Sequence, residues 1–418
     1  MASIDGYPSF TPIHLTNPPE CVVATPMANP PAPVASGDGL ALSRLAKAGQ
    51  LGGQRVEGWF ISTFRRWFVH APAPDARDPL GRAEASWQAI QRQFGTPIAK
   101  HVFADNTSNA GEIAAVWPFG QAIAATLDLA RVTGDYRAVD SAMQGLQQYR
   151  LGQGYAPSYR PDSSEARYWD DNAWIGLDYM QAYKQTGDSQ YLDKAKAMFP
   201  FMRQGLAPDG GTYWAERAKM PTRNTCANAS AAEYALRLYQ VTKDPQYLQV
   251  AENLNDFMQR SLRSPEGLYW DNLANNGSLD RSIYSYNQGA AIGMDVLFYR
   301  VTNDPKYLQQ ATQTAHAALQ HFSQDDRLWK GAPSFNAILF RNLLALDAVA
   351  PDPAYRQTMN AYLDRVWTEA RDPATGLFDK GGIGAYGPKG RGNLLDQSGL
   401  TQLFALSTWP SSDLPDIS

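Results

Sequence analysis

Tyr183-Lys184-Gln185-Thr186-Gly187-Asp188-Ser189-Gln190-Tyr191-Leu192 returns 56 residues later as Tyr239-Gln240-Val241-Thr242-Lys243-Asp244-Pro245-Gln246-Tyr247-Leu248. It returns again after a further 60 residues as Tyr299-Arg300-Val301-Thr302-Asn303-Asp304-Pro305-Lys306-Tyr307-Leu308. Arg131-Val132-Thr133-Gly134-Asp135-Tyr136 and Asp352-Pro353-Ala354-Tyr355 are partial copies. The phrase is a helix stop joined to a helix start. Gly187 and Asn303 tolerate the left-handed conformation that ends a helix. Asp188, Asp244 and Asp304 are natural N-caps for the next one. Pro245, Pro305 and Pro353 fall on the first helical position, where no amide donor is needed. Each copy therefore predicts two helices joined by a very short turn.

The second helix of each pair carries one apolar stripe. Tyr191, Ala195, Met198 and Met202 in one copy match Tyr247, Ala251, Leu254 and Met258 in the next. Polar residues fill the other face, as expected of outer helices. The first helices differ: Ala173 to Tyr183 is apolar on most sides, which predicts burial all round. Hairpins are predicted at 119–149, 172–203, 228–262, 287–322 and 336–370. Lone apolar stretches at about 78–94 and 394–407 can pair to complete a sixth. The reading is an all-α fold, an (α/α)6 barrel of six helical hairpins, with an open solenoid as the alternative. Closure is favoured by the buried first helices and the two unpaired ends.

Domain organisation follows. The first 35 of the 418 residues hold eight prolines. Residues 1–38 read as an irregular arm and 39–418 as the barrel domain. The arm lacks a basic start followed by an apolar run, so it does not read as a secretory signal. The expectation is an intracellular chain, or an exported one whose signal has been removed.

Composition excludes several function classes. Lys plus Arg number 37 against 41 Asp plus Glu, a formal charge of -4, which argues against a nucleic-acid partner. No run is long and apolar enough to span a membrane. Cys21 and Cys226 form no metal-binding pattern, and a disulfide between them is not favoured. Among His14, His70, His101, His316 and His321 only the last two lie close, at a spacing poor for one metal on a helix. No metal is expected. Aromatic residues make up 11% of the chain, with 21 Tyr and 11 Trp, which suits surfaces that stack on flat ligands.

Connections between hairpins are long and hold Gly, Asn and aromatics. They include Trp117-Pro118-Phe119-Gly120-Gln121, Tyr168-Trp169-Asp170-Asp171-Asn172, Gly210-Gly211-Thr212-Tyr213-Trp214, Gly267-Leu268-Tyr269-Trp270-Asp271, Tyr284-Ser285-Tyr286-Asn287-Gln288-Gly289 and Gly382-Ile383-Gly384-Ala385-Tyr386-Gly387. Hairpins return to the same end, so these loops share one rim, where binding residues concentrate. Trp and Tyr faces stack on pyranose rings, while amides and carboxylates take sugar hydroxyls. The other reading is that these aromatics only cap an open barrel end.

Asp170 and Asp171 stand side by side at the start of an inner helix. One carboxylate can serve as the N-cap. Capping needs only one, which leaves the other for chemistry. Retaining glycoside hydrolysis uses two carboxyl groups about 5–5.5 Å apart, one as nucleophile and one as acid and then base. The positive end of the helix favours the charged nucleophile. Two neighbouring carboxylates do not both ionise easily, so one keeps a proton to deliver.

These landmarks together resemble glycoside hydrolase family 76. They are Asp170-Asp171-Asn172-Ala173-Trp174 with the following Thr-Gly-Asp turn, Gly210-Gly211 with Trp214, Arg223-Asn224-Thr225-Cys226-Ala227-Asn228, Tyr286-Asn287-Gln288-Gly289, and Leu395-Asp396-Gln397. The resemblance runs from about residue 80 to 407. It implies an (α/α)6 barrel, retaining endo-α-1,6-mannanase activity and no cofactor. It assigns the nucleophile to Asp170 and the acid/base to Asp171. Trp117, Tyr168, Trp169, Asn172, Trp214, Asn224, Asn228, Tyr286, Asn287, Gln288, Asp396 and Gln397 are the candidate sugar-binding residues. The expected partner is a polysaccharide or oligosaccharide, taken up by a monomer. The 271–284 loop is a place where subsite specificity can vary.

Other classes remain as alternatives. An α-1,6-glucan hydrolase or a transglycosylase fits the same scaffold. A sugar epimerase needs a histidine acid and base, and the 168–290 rim carries none. A non-catalytic glycan-binding protein has no use for both aspartates. A terpenoid cyclase needs a basic cluster for diphosphate, which the pair lacks.

Overall fold

The three full copies of the phrase adopt the stop-and-start geometry, and each partial copy keeps one half of it. Gly134, Gly187, Lys243 and Asn303 all sit in the left-handed region, with φ of 71°, 70°, 58° and 57°. The side chains of Asp188, Asp244, Asp304 and Asp352 each accept the amide two residues on, at 2.9–3.0 Å. Lys243 holds the helix-ending position without glycine's freedom, so the cap is set by the phrase as a whole.

The structure is a computed structural model that describes residues 78–219, 221–384 and 392–417. The 1–38 arm, its boundary with the barrel, Cys21 and the 385–391 part of one rim loop lie outside the described residues. Twelve helices build the barrel: α1 (Pro79–Gln93), α2 (Val116–Thr133), α3 (Arg137–Leu146), α4 (Trp169–Thr186), α5 (Ser189–Gln204) and α6 (Thr225–Thr242). Then come α7 (Pro245–Ser261), α8 (Ser285–Thr302), α9 (Pro305–Phe322), α10 (Pro333–Asp347), α11 (Pro353–Arg365) and α12 (Leu394–Ser407).

The even-numbered helices pack in sequence, α2 on α4, α6, α8, α10 and α12, and α12 returns to α2. That closes a ring and excludes the open solenoid. Helix α1 packs on α12, so the two lone stretches complete the sixth pair as read. The odd-numbered helices form the outer layer and show their apolar stripes inward. Tyr247, Ala251, Leu254 and Met258 are buried, as are Ala195, Met198 and Met202. Close approach within the inner ring uses glycine. A Cβ on Gly289 would lie 2.6 Å from the Ile338 carbonyl oxygen, and one on Gly176 would lie 2.5 Å from the Tyr234 ring.

The inner ring surrounds a polar interior. Asp128, Asp178, Glu233, Arg237 and Arg341 line one cavity there. Asp128 is paired with Arg341, and Arg237 donates to the Gln181 side chain at 3.2 Å. Residues 411–417 run beneath the far mouth, where Arg131 bonds Asp413 and Asp416 and Arg237 bonds the Ile417 carbonyl. Burial raises Asp128 to about 6 and Glu233 from 4.5 to about 8, against the pull of nearby arginines. The folded chain therefore keeps the Glu233 proton where the unfolded chain has lost it. Stability falls as pH rises from about 4.5 through 8. Glu233→Gln is expected to melt near wild type at pH 5 and a few degrees above it at pH 8.5. Thermal melts across that range check the sign.

Candidate active site

All six inner helices start on one rim, so their positive ends converge there. Aligned on their N-caps, the starts show a position-by-position division of labour. The second helical residue is Trp117, Asp170, Cys226, Tyr286, Ser334 or Leu395. On the neighbouring helices α4, α6 and α8 this position brings Asp170, Cys226 and Tyr286 together. Trp214 Nε1 donates to Asp170 Oδ2 at 2.9 Å, and Cys226 Sγ donates to the same oxygen at 3.2 Å. Tyr286 lies beside Cys226, and each shifts the other's proton affinity. Asp170 Oδ1 accepts the Asp171 amide at 3.0 Å. Tyr168, not an aspartate, is the N-cap, and it makes no side-chain cap bond. The capping alternative for the pair therefore falls away.

Both carboxyl groups are half-buried. Burial raises the pKa of Asp170, while Cys226, Trp214 and the Asp171 amide pull it back. Asp171 is raised much further, by burial and then by the Asp170 charge. Among the described residues no donor reaches the Asp171 carboxyl. Burial thus disfavours the charged form of both adjacent acids, and the Asp170 charge adds to this at Asp171.

Aromatic side chains flank the pair. Tyr168 lies 4.9 Å from Trp214, which is 39% exposed. Across the rim Phe335 joins Tyr286 at 4.2 Å, Tyr284 at 5.9 Å and Trp117 at 6.1 Å. Trp214 is fixed by its backbone: its amide donates to the Thr222 carbonyl and its carbonyl accepts the Trp169 amide, both at 2.9 Å. Thr222–Asn224 (β1) pairs antiparallel with Asn272–Ala274 (β2), which pairs with Leu279–Asp280 (β3). This small sheet joins the Trp214 loop to the 271–284 loop.

The remaining sequence candidates occupy a second layer. The fourth helical residue is Asn172 in α4, Asn228 in α6, Gln288 in α8 and Gln397 in α12, and all four are buried. Each amide grips both backbone groups of one residue in the preceding loop. Asn172 accepts the Tyr155 amide at 2.7 Å and donates to its carbonyl at 2.9 Å. Gln288 holds Tyr269 at 2.8 and 2.9 Å, and Gln397 holds Phe378 at 3.0 and 3.0 Å. Asn228 holds Thr212 at 2.8 and 3.3 Å. These side chains are loop clamps.

Trp169 is likewise in the core, stacked on Phe201 at 6.1 Å and packed against Gly205. Asn224 accepts the Thr222 hydroxyl at 2.6 Å. Asp396 takes the Ser334 hydroxyl at 2.8 Å and the Asn393 amide group at 2.9 Å, which ties α10 to α12. Asn287 donates to Asp271 at 3.0 Å. Asn224 and Asp396 are thus tied to neighbouring side chains, while Trp169 Nε1 and Asn287 Oδ1 are buried without a hydrogen-bond partner among the described residues. Tyr168, Trp214, Trp117 and Tyr286 stay on the rim. Cys226, Asp271 and Phe335 are site residues that residue type alone did not single out. His316 bonds Asp352 at 3.3 Å on the outer layer, far in the fold from the pair's inner ring.

Comparison with known proteins agrees with this architecture. The family model for glycosyl hydrolase family 76 matches residues 92–381. No curated protein matches. An α-mannanase of that family from Bacteroides thetaiotaomicron has TM-score 0.71 at 20% identity, over 80% of this chain and 96% of that one. The α-1,6-mannanase from Salegentibacter sp. HEL1_6 has TM-score 0.66 at 22% identity, over 79% and 99%. A cellobiose 2-epimerase from Spirochaeta thermophila has TM-score 0.60 at 15% identity, over 80% and 99%. At these identities the structures speak for the shared helical barrel, and the family model decides between hydrolase and epimerase. The chain belongs to glycosyl hydrolase family 76 and is a glycoside hydrolase.

Proposed function

We propose that this hydrolase cleaves α-1,6-linked mannan internally and with retention, using Asp170 as nucleophile and Asp171 as acid/base. The observation that carries the reading is the asymmetry of the pair. Asp170 is held by Trp214 and Cys226 at the positive end of α4, while Asp171 beside it has no such donors among the described residues and is pushed up further by burial and the Asp170 charge. Asp170 Oδ2 has two donors and Oδ1 has one, so Oδ1 keeps a lone pair for the anomeric carbon. In the first step that oxygen forms the glycosyl bond as Asp171 gives its proton to the departing glycosidic oxygen. In the second step Asp171, now charged, takes a proton from water, and the water oxygen displaces Asp170. Stacking on Trp214 and on the Tyr286 and Phe335 group positions the sugars.

Structural relatives support the substrate class. An inactive variant of the Salegentibacter α-1,6-mannanase, with two aspartates adjacent in its sequence changed to asparagine, was solved with α-1,6-mannotriose. The test is incubation with linear α-1,6-mannan and, separately, with an α-1,6-glucan. Oligosaccharides are expected from the mannan. Cleavage of the glucan alone would replace the substrate, and longer products built from added oligosaccharides would identify transglycosylation.

A further inference from the structure

We propose that Cys226 is a positioning residue for the nucleophile, a relay from α6 to α4 in which the thiol donates to Asp170 Oδ2, with Tyr286 of α8 beside the thiol. The inference rests on the reading of Asp170 as nucleophile. Its observations are geometric. Asp170, Cys226 and Tyr286 occupy the same helical position on three consecutive inner helices. Cys226 is buried and free, with Sγ 3.2 Å from Oδ2. The thiol has a single donor hydrogen, and Asp170 Oδ2 takes it.

The direction of the relay follows from its surroundings. Burial raises the thiol well above its ordinary value, and the negative charges of Asp170 and Asp271 add to that. The thiol therefore keeps its hydrogen and acts as a donor. The Tyr286 hydroxyl is raised by burial and by the same neighbours, so it too stays protonated. Asp171 faces Asp170 from α4, Cys226 from α6, Tyr286 from α8, and Asp271 from the loop before α8. Trp214 supplies the other donor to Oδ2. Cys226, Trp214 and the backbone amides of Asp170 and Asp171 favour the charged form of Asp170. Removal of the thiol shifts Asp170 toward its protonated form and frees its carboxyl to rotate.

The experiment compares wild type, Cys226→Ala and Cys226→Ser on α-1,6-mannan oligosaccharides across pH. Cys226→Ala is expected to lower kcat about tenfold or more with KM within about twofold, as a hydrogen bond to a charged group predicts. The acidic limb of its kcat/KM profile should move to higher pH. Cys226→Ser restores a donor and should return the limb toward wild type. A second readout needs no turnover. Trp214 donates to the same oxygen, so its fluorescence reports Asp170 protonation, and Trp214→Phe identifies that component. The midpoint should rise in Cys226→Ala and fall back in Cys226→Ser. An unmoved midpoint and an unmoved acidic limb in Cys226→Ala would overturn the relay. A shifted midpoint in a chain that cleaves no mannan would uphold the relay and overturn the substrate reading.

Discussion

Asp170→Ala and Asp171→Ala are each expected to lower mannan turnover on the order of a thousandfold or more, and azide should rescue them into opposite products. The substrate for rescue is a dinitrophenyl glycoside of α-1,6-mannobiose, whose leaving group needs no acid. In Asp171→Ala the nucleophile still forms the glycosyl-enzyme, but no base remains to activate water. Azide needs no base and displaces Asp170 from the glycosyl-enzyme, giving the α-glycosyl azide. In Asp170→Ala azide enters the vacated space and attacks directly, giving the β-glycosyl azide. Nuclear magnetic resonance of the two products assigns the roles. Exchanged products would reverse the assignment of Asp170 and Asp171. Both variants should melt close to wild type, because neither carboxylate caps the helix and the cap residue is Tyr168.

Asn172→Ala is expected to destabilise the fold by roughly 3 kcal/mol and to abolish activity with it. The Asn172 amide makes three bonds, to the Tyr155 amide, the Tyr155 carbonyl and the Tyr168 carbonyl, at 2.7, 2.9 and 2.7 Å. Its removal leaves a buried donor and two buried acceptors, and each such loss costs about 1–3 kcal/mol where water cannot repair it. Asn172→Asp should be no rescue, since a carboxylate accepts the Tyr155 amide but repels both carbonyls. Tyr168 precedes Asp170 by two residues, so the loosened turn carries the nucleophile with it. Denaturant melts and residual activity measure the two effects. A substitution at a sugar-contacting amide would instead raise KM and leave the melt unchanged, which separates clamp from ligand.

The contrast between Asn172 and Asp170 shows what the sequence could and could not convey. Helix turns were legible because Gly187-Asp188 and its copies state a backbone conformation, and backbone conformation is local. Ring closure was legible because apolar coverage tells an inner helix from an outer one. The amides were not, because Asn and Gln serve a sugar hydroxyl and a buried backbone equally well, and only burial separates the two uses. One signal did exist. Asn172, Asn228, Gln288 and Gln397 each fall four residues after an N-cap, and a feature shared by many hairpins belongs to the scaffold. Adjacent aspartates occur at only one of the six inner starts, which marks them as chemistry. Cys226 stood within a family landmark, but its bond to Asp170 was not legible because that partner lies 56 residues away in the chain, brought near only by the neighbouring positions of α4 and α6 in the ring.

The most direct test of the paired-aspartate mechanism is proton nuclear magnetic resonance of wild-type protein with α-1,6-mannan, read before the new reducing ends mutarotate. The account predicts that the α-anomer appears first and the β-anomer only later, by equilibration. Initial appearance of the β-anomer would mean single displacement by water, and would contradict a covalent intermediate on Asp170.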